Sequence, residues 1–325
     1  MAEIMLRSFV LLLTCCMALS AQAASTIKHV IIIVMENKDA EQASIVSESY
    51  IYGNRKHAPY INKTLMPRAA WASNFKDELP KANSEPHYVM MEAGTNEFPD
   101  ASFHCDSDPL EHCSGTKPNN WTASPAHLTA QMETAGHSWM TYQEGIDARH
   151  TGACPIHSSG LYAAKHNPFV FFADVSGNPP NETSAPCVAH TRNLKALSAD
   201  LAVGRLADYV FITPNLCNDM HGAADCTGNA IRTGDDFLKG LLPPLLAWAA
   251  NNSGLVLVAW DEGKRTPLIP FIAAGPGVKQ NYAGQVLYSH RSIIKTVERI
   301  FGLPVLPAVA DANDLSDLFE AGALP

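Results

Sequence analysis

The chain of 325 residues carries a formal net charge of −9 and is long enough to bury a sizeable core, as one large domain or two intimate ones. Its 23 Lys and Arg against 32 Asp and Glu form no basic stripe, which argues against nucleic acid as a partner. The acidic balance also gives no overall pull toward anionic bilayers, although it leaves lipid substrates open.

The N-terminus reads as an export signal. Met1–Arg7 has one basic residue, Phe9–Leu19 is an apolar run too short to span a bilayer, and Ser20-Ala21-Gln22-Ala23-Ala24 offers a small-residue cleavage pattern. Residues 1–23 are therefore expected to be a signal peptide, and residues 24–325 a single exported domain, secreted or periplasmic. A buried N-terminal helix is the competing reading. A lipoprotein is disfavoured, because Cys15 lacks a small residue before it. No later stretch is long and apolar enough to serve as a transmembrane anchor.

Ile27–Met35 is a β-branched run that suits a central strand buried on both faces, and Glu36-Asn37 follow at its end. Pro86 bars Glu85 from starting a helix, so a helix opening there leaves Ser84 near its N-terminus. Residues 98–187 are rich in Pro, Gly, Asn, Ser and Cys and read as a loop-rich cap or insertion. Tyr209–Thr213 predicts a strand running into Asn218-Asp219-Met220-His221. A helix is expected over 233–250, capped by Thr233 and broken at Pro243-Pro244. Gly254–Trp260 predicts a strand ending at Asp261-Glu262, Pro267–Ala274 a further short one, and Ser289–Phe301 a helix ended by Gly302. Strands alternating with helices indicate an α/β fold with a mostly parallel central sheet covered by helices on both faces. Cys105, Cys113, Cys154, Cys187, Cys217 and Cys226 remain after cleavage. In an exported chain they read as up to three disulfides, with 105–113, 154–187 and 217–226 the expected pairs. A zinc cluster competes, but no C-x-x-C spacing occurs.

Polar residues after a strand are usually caps. Three acidic clusters at corresponding strand ends are different, because ligands bind at the carboxyl ends of such strands. Carboxylates converging in one cleft repel one another unless a cation neutralises them, and a hard divalent metal prefers oxygen ligands. A phosphate would be stabilised at the helix N-terminus beside Ser84, although Ser84 read alone is an ordinary N-cap.

Lys28–Asn37, Ser84-Glu85-Pro86-His87-Tyr88, Thr213–Gly222, Trp260-Asp261-Glu262-Gly263 and Tyr288–Glu298 with Phe301-Gly302-Leu303-Pro304 occur in this order. Together they resemble the phosphoesterase family of acid phosphatases and phosphatidylcholine-type phospholipases C, which has an alkaline-phosphatase-like fold. The resemblance implies a metal-dependent phosphatase in which Glu36, Asn37, Ser84, Asp261 and Glu262 hold one divalent ion (Ca, Mg, Mn or Zn). It implies Ser84 as nucleophile, His221 and His290 as phosphoryl contacts or proton donors, and Asn37, Asn218 and Asp219 as substrate contacts. His166 is read either as a further substrate contact or as a structural loop histidine. His87 stands where relatives often have Asn. Asp261-Glu262 lacks the extra His of two-zinc superfamily members, which favours a single ion, with Asp219 free to help a second. The expected substrate is a small-molecule or lipid phosphate monoester. A phospholipase C-type diesterase and a non-catalytic phosphate-binding protein on the same scaffold are the alternatives.

Overall fold

The computed structural model describes residues 27–111, 119–146 and 152–324. The expected signal peptide lies outside the described residues, as does Cys113. The chain builds one eight-stranded sheet: β1 (His29–Met35), β2 (Ala70–Ala72), β3 (Trp139–Gln143), β4 (Thr191–Asn193), β5 (Tyr209–Thr213), β6 (Gly254–Trp260), β7 (Phe271–Ala274) and β8 (Tyr282–Gly284). Across the sheet they lie in the order β4-β3-β5-β1-β6-β7-β2-β8. The helices are α1 (Ser84–Ala93), α2 (Leu128–Thr134), α3 (Ala173–Ser176), α4 (Ala185–His190), α5 (Leu197–Ala202), α6 (Ala230–Asn252) and α7 (His290–Phe301).

The three predicted apolar runs are the middle of this sheet. β5 and β6 are buried at every residue, and β1 at every residue after His29, which requires cover on both faces. β1 pairs in parallel with β5 and with β6, in a register that aligns Met35 with Trp260. The residues after each, Glu36 and Asp261, therefore emerge side by side. The sheet is mixed rather than uniform, since β7 runs antiparallel to both β6 and β2. No described helix is long and apolar enough to cross a membrane.

Three sequence expectations are corrected. Residues 98–187 are not loops throughout, because they supply α2 and the interior strand β3, which pairs with β4 and β5. β3 is only five residues long, too short for periodicity to reveal it. The strand expected over 267–274 starts at Phe271, directly after Pro270, which has no N–H to give to the sheet. The helix expected from Thr233 starts at Ala230, where the Asn229 side chain accepts from the Arg232 N–H, and it runs through Pro243 and Pro244 without stopping. Both prolines are exposed, as are Lys239 and Gly240 one turn earlier, so the carbonyls they leave unpaired face water. The disulfides 154–187 and 217–226 are both formed. Cys105 is also disulfide-bonded.

Helix α1 carries Ser84 at its first turn, and its far end is fastened at several points. It ends at Gly94 (φ +71), where a Cβ would come within 2.4 Å of Val309 Cγ1, so only glycine fits. In the last turn, Glu92 Oε1 accepts from the Thr129 N–H (2.7 Å), the Thr129 hydroxyl (2.6 Å) and His127 Nδ1 (3.0 Å). His127 Nε2 reaches Asp174 Oδ2 at 3.0 Å. Both ring nitrogens face carboxylate oxygens, so both carry protons. Burial alone would lower the pKa of His127, but the bonds to Asp174 and Glu92 override it and hold it up at about 9.

A folded-state pKa above the ordinary 6.5 stabilises the fold fully below that pH, and the gain is lost as pH rises through about 9. His127→Gln should remove up to about 3 kcal/mol of the wild-type decline in urea stability over that window. Identical pH profiles for the two proteins would show that His127 is neutral in the fold.

Candidate active site

The ends of β1, β5 and β6 deliver Glu36, Asp219 and Asp261, all with no solvent exposure. Backbone bonds continue past the strands: the Glu36 N–H donates to the Asp219 carbonyl at 2.8 Å and the Asp261 N–H to the Met35 carbonyl at 3.0 Å. Asn37 adopts a left-handed backbone (φ 38), which asparagine tolerates better than most residues. In that conformation its N–H donates to Asp261 Oδ1 (3.0 Å) and its Nδ2 to Glu262 Oε1 (2.7 Å). Gly263 follows at a turn so tight that a Cβ would lie 1.9 Å from the Thr266 carbonyl oxygen. Between Asp219 and His221, the buried Met220 is held at φ 81, a conformation costing about 1–3 kcal/mol that clusters at functional sites.

Ser84 is the first residue of α1, and no side chain caps that turn. Its Oγ–H donates to Glu36 Oε2 at 3.1 Å. One helical turn on, the Tyr88 hydroxyl donates to Glu36 Oε1 at 2.7 Å. His87 lies behind, with Nδ1 2.7 Å from the Asn83 carbonyl and Nε2 2.8 Å from Asp77 Oδ1. A carbonyl and a carboxylate only accept, so His87 donates from both nitrogens and is a fixed cation. Burial opposes that charge, but Asp77 overrides it, and the pKa rises to about 9.

The cluster is electrostatically costly without a cation. Burial, followed by repulsion from Asp261 and Asp219, pushes Glu36 well above the carboxylate range. Burial likewise raises Asp219 and Asp261, and burial plus the charge of Asp261 lifts Glu262 to about 8. Lys38 contributes a nearby positive charge, although its ammonium is itself bound to the Asn37 carbonyl at 3.0 Å and burial lowers its pKa. Asp261 Oδ2, Asp219 Oδ2, Asn37 Oδ1 and His166 Nε2 are buried without hydrogen-bond partners. Orphaned oxygens and one imidazole nitrogen are a donor set that a divalent metal fits.

Hydrogen bonds link all five residues predicted to hold metal (Glu36, Asn37, Ser84, Asp261 and Glu262) into one constellation. A different trio, Glu36, His166 and Asp219, presents ligand atoms all within 4.8 Å of one another. His166 arrives from the middle segment and stacks on Tyr88 (4.9 Å, 6°), with Nδ1 3.4 Å from Glu36 Oε1. Burial, with Lys165 adding to it, keeps the ring neutral, which is the form that binds metals. His221 sits exposed at the mouth, Nδ1 donating to the Gly222 carbonyl at 2.7 Å, while its N–H holds Asp219 Oδ1 at 2.6 Å. His290 is instead fully buried. Its Nε2 bonds the Trp260 carbonyl (2.9 Å), and burial plus the charge of His87 lowers its pKa to about 4, so it is poorly suited to donate a proton. Asn218 is not aimed at the cluster, because its amide donates to both oxygens of Glu144 at 2.9 and 3.0 Å. Tyr88, Lys38 and Asp77 join the site without having been expected there from sequence, whereas His87 stood out as a departure beside Ser84. Tyr88 had a usable signal, since four residues after Ser84 places it on the same helix face.

The Phosphoesterase family profile matches residues 80–304. The chain belongs to this family. It is a phosphoric ester hydrolase, as the family's chemistry and its relatives' names agree. A phosphatidylinositol-3-phosphatase of Mycobacterium tuberculosis is 31% identical over 93% of this chain and 86% of that protein. An acid phosphatase of Aspergillus fumigatus is 26% identical over 69% of this chain, which spans only 46% of the fungal protein. Among solved structures, an alkaline phosphatase superfamily protein from Vibrio parahaemolyticus shares the fold, with a TM-score of 0.56 at 12% identity over 90% of this chain and 71% of that one.

For this Phosphoesterase family chain the buried carboxylates predict that divalent metal stabilises the fold by linkage. Adding metal to chelator-treated protein should raise its melting temperature, and Asp261→Asn should shrink that rise. An equal rise in wild type and variant would move the cation elsewhere.

Proposed function

We propose that the chain is an exported, metal-dependent phosphatase that hydrolyses phosphate monoesters through a phosphoserine at Ser84. The observation that carries this reading is the bond from Ser84 Oγ–H to Glu36 Oε2, made at the uncapped N-terminus of α1 inside an acidic cluster. The relatives named as acid phosphatases and a phosphatidylinositol-3-phosphatase support a monoester substrate. The disulfides 154–187 and 217–226 suit an oxidising compartment.

Glu36, Asn37, Ser84, Asp261 and Glu262 would hold one divalent ion, with His166 and Asp219 flanking it across the shared Glu36. When bound, such an ion lowers the pKa of a serine hydroxyl and offsets charge on phosphoryl oxygens. The Ser84 proton already has an acceptor in Glu36. Free N–H groups at the start of α1 face a phosphoryl group with favourable partial charge, and the His87 cation adds to it from behind. Ser84 Oγ bonds to phosphorus as the ester P–O bond breaks, and His221 at the mouth gives the leaving alkoxide its proton. Water then attacks the phosphoserine, releasing phosphate and restoring the Ser84 hydroxyl. His290 packs under the Trp260 carbonyl and keeps Asp261 in place.

Ser84→Ala should lower turnover of a small aryl phosphate roughly a thousandfold or more with the fold intact, and acid-quenched wild type should carry label from substrate on Ser84. Retained turnover in the variant would refute the nucleophile. Strong cleavage of phosphatidylcholine with negligible aryl phosphate turnover would instead make the enzyme a phospholipase C. The metal position has its own test. Asp261→Asn is expected to lose bound metal, whereas His166→Ala keeps most of it; the reverse pattern would assign the ion to Glu36, His166 and Asp219.

A further inference from the structure

Ile45 and Val46 are 94% and 80% exposed, the highest values for large hydrophobic side chains among the described residues. They are adjacent and occupy the two central positions of a turn closed by the Ser47 N–H donating to the Ser44 carbonyl at 2.9 Å. Turn centres favour Gly, Asn, Asp and Pro, and β-branched aliphatics have no conformational reason to be there. They pack against nothing, so no folding reason accounts for them either.

The turn is the tip of a braced loop. Gln42 Nε2 donates to the carbonyls of Ile45 (3.3 Å) and Ser47 (3.0 Å). At the base, the Asp39 N–H donates to the Ser49 carbonyl and the Ile51 N–H to the Asp39 carbonyl, both at 3.1 Å. Asp39 comes three residues after Glu36, which sets the loop on the same edge of the sheet as the site. Its Oδ1 accepts from the N–H groups of Arg265 (2.8 Å) and Thr266 (2.9 Å). That contact brings Lys264 and Arg265, just past Glu262, to the foot of the loop. Lys264 is close enough for its charge to be felt at buried Lys38. Lys264, Arg265 and Arg55, the last lying four residues past the loop's base at Ile51, are exposed, and none makes an ion pair among the described residues. The loop's Glu48 is already paired with Lys56 at 2.7 Å, and the Asp39 carboxylate is engaged by backbone N–H groups.

We propose that this rim docks the enzyme on an anionic lipid surface, with Ile45 and Val46 entering the acyl boundary and Lys264, Arg265 and Arg55 meeting the headgroups. A soluble protein partner would match the aliphatic pair, but it gives no reason for unpaired cations around it on a chain of net charge −9. An anionic membrane accounts for both, since apolar insertion and basic side chains act together at an interface. The proposal goes beyond the phosphoserine reading and does not depend on it.

The test uses the full chain carrying Ser84→Ala, so that docking is measured without chemistry, in sedimentation with phosphatidylcholine vesicles with and without phosphatidylserine. Binding is expected only with phosphatidylserine and should weaken as salt rises. Ile45→Ser with Val46→Ser should lower partitioning at least about tenfold. Lys264→Ser with Arg265→Ser should lower it roughly twentyfold on the anionic vesicles. With Ser84 intact, the Ile45/Val46 pair of changes should leave aryl phosphate turnover unchanged. Failure to sediment, equal binding to both vesicle types, or full binding by the Ile45/Val46 variant would each overturn the proposal. Absence of aryl phosphate turnover in otherwise unmodified enzyme would count against the catalytic reading alone.

Discussion

The structure turns on the repulsion between carboxylates buried at the ends of parallel strands. Glu36 and Asp261 are neighbours because β1 and β6 pair with Met35 opposite Trp260. A shift of register by one residue would turn each side chain to the opposite face and dissolve the cluster. The apolar runs that make these strands stable are thus what forces the acids together. The fold gives up local stability there, in groups whose charge burial suppresses, and such a donor set suits a hard divalent cation. A cation bound there would add its binding energy to the stability of the fold.

Around that cluster the protein spends conformational strain in few places. Asn37 and Met220 hold left-handed backbones beside the acids, and Gly263 permits a turn that no Cβ would allow. All three lie in the connections beyond the strand ends, so the sheet itself remains regular. Tyr88 and His166 stack face to face and, like His87, are buried on the helix side. They hold Glu36 and Ser84 in a setting where little water can relax to blunt the field.

What could be read from the sequence depends on the range over which each signal acts. Ile27–Met35, Tyr209–Thr213 and Gly254–Trp260 announce themselves because a strand buried on both faces needs an unbroken apolar run. Pro86 points to a nearby helix start by a local steric rule, yet α1 opens two residues before it, with Ser84 and Glu85 already helical. β3 escapes notice because five residues between polar turns carry too little pattern, and its place beside β5 is a long-range fact. The same holds in the site. Glu36, Asp261 and Glu262 are legible as strand-end acids, whereas His166 comes from a segment without periodicity and reaches Glu36 only through tertiary folding. Asn218 shows the opposite failure: it sits in a motif that points to substrate, yet Glu144, remote in sequence, takes its donors. The prolines of α6 mislead for a simpler reason. The penalty for proline in a helix assumes that the freed carbonyls stay buried, and here they face water.

The anchoring of α1 at Glu92 makes the helix a lever. Eight residues separate Glu92 from Ser84, a span of about 12 Å along the axis. A tilt of about five degrees at the Glu92–His127–Asp174 joint would carry the serine oxygen roughly 1 Å, enough to cost a reaction dependent on near-attack geometry about a hundredfold. The position of the Ser84 hydroxyl is therefore set from the opposite end of the helix, by side chains remote from the acidic cluster.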